Sequence, residues 1–211
     1  MTIRGITSAV ALMIGLVRVS AANIPSVATS SCPSHIDLVG RSVAGPDTTI
    51  GDFDIVTRDL AGNPWTDGSV VIDLARCPDC RLDTASLAGS SAPATCPFRS
   101  AAFAPGADGH TRFCVVGGST GGPGTQGPSE ARIFGGGALL RVIPVAIYDL
   151  DGSGGLGTGD LSLWLDDFGR GVYIGRSDYD GDGAVSSNDL SLWLTAFGLG
   201  GSSESGASLC P

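Results

Sequence analysis

From Asp149 the sequence runs DLDGSGGLGTGDLSLWLDDFG, and from Asp178 it runs DYDGDGAVSSNDLSLWLTAFG. The two stretches align without a gap, share the hexapeptide DLSLWL, and reach Phe-Gly at the same offset. Repetition of this kind marks a duplicated unit, each copy a loop followed by a helix. The first copy also satisfies G-x-G-x-x-G through Gly152, Gly154 and Gly157, after the apolar run RVIPVAIYDL, which is the setting of a dinucleotide fingerprint. The second copy separates the two readings. Its aligned residues are Gly181, Gly183 and Ser186, so the glycine pattern is not kept whole. Asp at loop positions one, three and twelve is kept, and so is Gly at position six. Hard cations need oxygen ligands at those places and the chain needs a sharp turn there, whereas a pyrophosphate would meet repelling carboxylates. The pattern is that of a calcium loop.

The candidate ligands follow from the spacing. Side chains at positions one, three, five and twelve are Asp149, Asp151, Ser153 and Asp160 in the first loop, with the carbonyl of Gly155 at position seven. In the second loop they are Asp178, Asp180, Asp182 and Asp189, with the carbonyl of Ala184. Two calcium ions are therefore expected, the first held more weakly because Ser153 stands where the second loop has Asp182. Leu156 and Val185, at position eight, suit a short β-bridge between the loops. In the helices, Leu161, Trp164, Leu165 and Phe168 repeat as Leu190, Trp193, Leu194 and Phe197 at i, i+3, i+4 and i+7. These faces predict a small shared core built on the leucines, with the tryptophans available to a partner.

Loop–helix repeats with Asp at position twelve and no entering helix resemble dockerin modules, over about residues 147–199. The resemblance implies calcium-dependent folding and docking onto a protein partner, a cohesin-like domain. Many dockerins carry a Lys-Arg pair after the loop; the corresponding residues are Leu165-Asp166 and Leu194-Thr195.

The chain before the repeats is different. Asp52–Leu60, Ser69–Ala75, Thr111–Gly117, Ala131–Gly135 and Ala138–Asp149 read as strands, separated by the turn clusters AGNPWTDG, APGADGH and GGSTGGPGTQGP. Short strands at this spacing predict a mainly β protein, with a sandwich over residues 31–148 followed by the small α module at 149–199 and a tail at 200–211. FDIVTRDLAGNPWTDGSVVIDL, GADGHTRFCVV and LLRVIPVAIYD resemble the strands and turn of invasin-type bacterial immunoglobulin-like domains, over most of residues 33–148. That resemblance implies a spacer or adhesive unit.

MTIR, the apolar GITSAVALMIGLV and small residues at Val19-Ser20-Ala21 describe a secretory signal over residues 1–22, so export is expected and a membrane span is not. The six cysteines, Cys32, Cys77, Cys80, Cys96, Cys114 and Cys210, are then expected to form bridges, and a clasp between Cys32 and Cys210 is one arrangement. The C-x-x-C at Cys77–Cys80 reads as structural, since no βαβ pattern surrounds it. A formal charge of −9 and the absence of lysine exclude a nucleic-acid backbone as partner. Catalysis is not expected. Gly117-Gly118-Ser119-Thr120-Gly121 matches G-x-S-x-G, but no helix follows, and His35 and His110 have no evident orienting partner. Carbohydrate binding is the alternative for the β portion, with Trp65 as its one tryptophan.

Overall fold

The computed structural model describes residues 24–39, 41–42, 45–46, 48–83 and 99–198. The expected signal segment at 1–22, the tail at 200–211, Cys96 and Cys210 lie outside them. The elements are β1 (Ile36–Leu38), β2 (Arg41–Ser42), β3 (Gly45–Pro46), α1 (Thr48–Gly51), β4 (Phe53–Val56), β5 (Val70–Arg76), β6 (Arg81–Leu82), β7 (Ser100–Phe103), β8 (His110–Phe113), β9 (Gly117–Gly118), β10 (Glu130–Gly135), β11 (Ala138–Ile147), α2 (Thr158–Gly169) and α3 (Ser187–Gly198), with a 3-10 turn at Gly175–Ser177. The protein is mainly β, with a curled sheet and two longer helices.

The largest sheet runs β1-β11-β10-β5-β7. β10 and β11 form a hairpin, β5 and β7 extend it antiparallel, and β1 joins the other edge parallel to β11, with Asp37 opposite Ala146. Alternation explains the centre: along β5 and β10 every second residue is buried, as one covered face requires. Ile72, Leu74, Ile133 and Val145 enter the core with Phe103 from β7. β4–β8, β6–β9 and β2–β3 pair as three short ribbons.

The continuous strand expected over Thr111–Gly117 is broken in two. The chain changes partners there: β8 pairs with β4, Val39 then donates to the Val115 carbonyl and bridges Val116, and β9 pairs with β6. Strands β1 and β7 were not anticipated. Cys77 and Cys80 are bridged to each other, fully buried in the turn after β5, where Arg99 Nη1 donates to the carbonyls of Cys77 and Pro78. Cys32 is half-buried, and burial pushes its thiol up from the ordinary range.

β11 continues directly into the first repeat, and the two portions share one core. Tyr148 stacks on Tyr179 at 4.4 Å between ring centroids, and Tyr179 Oη donates to the carbonyl of Ile147. Trp164 and Trp193 belong to the same buried cluster as the β strands. No helix among the described residues is long and apolar enough to cross a membrane.

Candidate metal centre

Both repeats fold as loop followed by helix, and position twelve explains how. In the first, Asp160 is the third residue of α2; its Oδ2 accepts the Gly157 amide at 2.7 Å and its Oδ1 accepts the Asp151 amide at 2.9 Å. One carboxylate thus closes the helix N-terminus and the loop, where the exposed amides favour negative charge. Asp189 repeats this, accepting from Ser186 at 2.7 Å and from Tyr179 at 2.7 Å. Position one is equally fixed: Asp149 Oδ2 accepts the Gly154 amide at 3.1 Å, and Asp178 Oδ2 accepts the Gly183 amide at 3.0 Å. The donors are the position-six glycines, at φ 103° and 93°, a left-handed conformation that a side chain would strain.

Each loop gathers three carboxylates, but Asp189, expected with the second set, is not among them; its oxygens accept the Tyr179 and Ser186 amides. Oxygens of Asp149, Asp151 and Asp160 lie within 4.8 Å of one another, and so do oxygens of Asp178, Asp180 and Asp182. Asp149, Asp160, Asp178 and Asp189 are buried, whereas Asp182 is exposed. Ser153 closes an Asx turn on Asp151 through its amide, and Ala184 does so on Asp182. Gly155 occupies the corresponding bend of the first loop. Grouped carboxylates at these distances repel without a counter-charge, and the oxygen-only donor set matches a hard cation. Either triad can hold a metal ion.

Burial acts first on the loop carboxyls that are shifted, and neighbouring carboxylates add to it. Burial pushes Asp160 above the usual carboxylate range, against the pull of amides from Asp151 and Gly157. Asp180 is raised by desolvation and by Asp189, Asp182 and Asp178, although the amide of Asp182 opposes this. Tyr173, not singled out in the sequence, donates its hydroxyl to Asp178 Oδ2 at 2.8 Å.

One expectation fails and another holds only in part. Leu156 and Val185 form no β-bridge among the described residues; each packs, partly buried, against the core. The segment between the repeats bridges instead to the glycine-proline loop, through Gly127 and Ile174. The helix faces follow the expected orientation only in part: Leu161 and Leu190 pack, partly buried, against the core, but Leu165 and Leu194 do not. α2 buries Asp160, Trp164 and Asp167, and α3 buries Asp189, Trp193 and Ala196. The tryptophans are core, while Leu165 (50 % exposed) and Phe168 (49 %) stand half out, matched by Leu194 (48 %) and Phe197 (47 %). The cause is the position-twelve carboxylate: it must face the loop, and it turns its own side of the helix inward.

The remaining candidates have other places. Ser119 is buried; its amide donates to the Asp149 carbonyl and its hydroxyl accepts from Arg176 Nη1. His110 is hydrogen-bonded to Asp54 at 2.6 Å, and His35 lies 3.9 Å from Asp37. Trp65 is buried. Compared with known proteins, the chain matches no family model, no curated protein and no solved structure.

Proposed function

We propose that this chain is a non-catalytic, exported calcium-binding protein whose paired repeats form a dockerin-like attachment module. The observation that carries the reading is the gathering of three carboxylates within 4.8 Å in each repeat, from loop positions one, three and twelve in the first and one, three and five in the second. Calcium is favoured over magnesium because the loops offer many carboxylate and carbonyl oxygens, whereas magnesium demands a strict octahedron and keeps its waters. Attachment to a protein partner, cohesin-like in kind, is supported by the matched apolar pairs beside the loops, Leu165 with Phe168 and Leu194 with Phe197, each half exposed. A depression of about 230 Å³ lined by Phe168, Val172, Tyr173 and Val185 adjoins the first pair. The β portion serves as the immunoglobulin-like spacer or adhesive unit.

Calorimetric titration with calcium tests the ion. Two sites are expected, and the one lacking a carboxylate at Ser153 should be weaker by on the order of tenfold, since affinity follows ligand charge. Two equal sites, or a tighter first site, would refute that ordering. Partner capture from the secreted fraction tests attachment: it should require calcium and be lost with Leu165→Ser and Leu194→Ser together. Retention in chelator would overturn calcium-dependent docking.

A further inference from the structure

The second loop has a neighbour that the repeat does not supply. A Cβ added at Gly181, position four, would lie 2.9 Å from the Cβ of His35, so the start of β1 sits directly against this loop. Two residues on, Asp37 lies on the same side of the strand: its Oδ2 is 3.9 Å from His35 Nε2, while Ile36 and Leu38 go into the core from the other side. Asp37 is 4 % exposed, and its Oδ1 has no hydrogen-bond partner. A buried carboxylate oxygen without a donor is costly unless something positive answers it. Burial pushes the Asp37 carboxyl well above its usual range, and the negative charges of Asp178 and Asp189, the first and twelfth residues of the loop, push it the same way.

A strand that buries an acid beside two more acids gains nothing from the arrangement by itself. With a cation in the loop the balance reverses, because each further negative charge nearby then strengthens the hold on the ion. We propose that Asp37 belongs to the second cation site, as a carboxylate contributed by the β portion that stands behind Asp178 and Asp189 and adds its charge to the field on the ion. The site is therefore built across the junction of the two portions and is complete only in the intact chain. This inference rests on the cation reading of the loops, and it makes the second site the tighter for a reason beyond Ser153.

The test uses the full chain carrying Asp151→Ala, which silences the first loop. Calorimetry with calcium chloride and with terbium chloride is compared with and without Asp37→Asn. The added substitution is expected to weaken calcium about tenfold, the usual size of an outer-shell loss, and terbium more, because its charge is higher. The ion-free melting temperature of the Asp37→Asn chain is expected to rise, which also reports that the variant folds. Affinities for both ions within about twofold of the parent would overturn the proposal. Failure of the Asp151→Ala parent to bind calcium at all would remove the cation reading first, before Asp37 is touched, and the inference with it.

Discussion

Chelation should lower the unfolding temperature of the entire chain, not only of its repeats. A ligand present at about 100 times its Kd contributes roughly 2.7 kcal/mol of stability per site, so two ions supply about 5 kcal/mol, comparable to the whole stability of many domains. For a chain of this length that corresponds to a drop of roughly 10–20 °C. The loss spreads because the repeats and the sheet share contacts: Ser119 donates to the Asp149 carbonyl at 2.8 Å, Tyr179 donates to Ile147, and the tryptophans of both helices lie in the common core. Tryptophan fluorescence and far-ultraviolet dichroism should therefore melt together in chelator, at the lower temperature. A split transition, with the β portion melting where it did in calcium, would show that the two portions are energetically separate.

The same carboxylates set the pH dependence of the ion-free chain. Asp37 and Asp160 have folded-state values raised above the ordinary carboxylate range, chiefly by burial. A raised acid favours the fold while protonated, so its contribution is present at acid pH and is lost as pH climbs through the raised value. Chelated protein should accordingly be more stable at mildly acid pH than at neutral pH, and added calcium should reverse the order. Melting curves at two pH values, with and without calcium, check the sign.

The acidic loops were legible in the sequence because the oxygen ligands of a cation fall at particular spacings, and a second copy filters out coincidence. Asp149, Asp151 and Asp160 could be named from letters alone, and so could Asp178, Asp180 and Asp182. The helix faces were legible only in part, because hydropathy counts apolar residues and gives no weight to an acid that must point inward. Leu161, Trp164, Leu165 and Phe168 make a convincing stripe, yet the loop needs Asp160 inside, and this displaces the stripe toward Asp167. Asp37 was hidden because the three residues Ile36-Asp37-Leu38 are too short to show a strand period, and only the tertiary fold reveals that the acid between two core residues is covered. Strand β6 escaped notice because a two-residue pairing leaves no period to detect.

The largest effect of a single side chain should come from Arg176, which is 1 % exposed and aims its guanidinium into the seam between the repeats and the glycine-proline loop. Nε donates to Asp167 Oδ2 at 2.7 Å and Nη2 to Oδ1 at 3.2 Å; further bonds reach the Gly122 carbonyl and Ser119 Oγ. Asp167 is fully buried and also accepts from Ser177 Oγ and the Gly124 amide. Arg176→Met should destabilise the chain by about 3–5 kcal/mol even in saturating calcium, because it strands the Asp167 charge in the interior. Asp167→Ala, which installs what the second repeat carries at Ala196, should cost a similar amount by stranding the guanidinium. The double variant should recover much of the loss, since it leaves no unpaired buried charge. Denaturant unfolding of the four proteins closes the cycle. Strict additivity of the two losses would mean that Arg176 is held by Gly122 and Ser119 rather than by Asp167, and that the seam owes its order to the loop's backbone instead of to this ion pair.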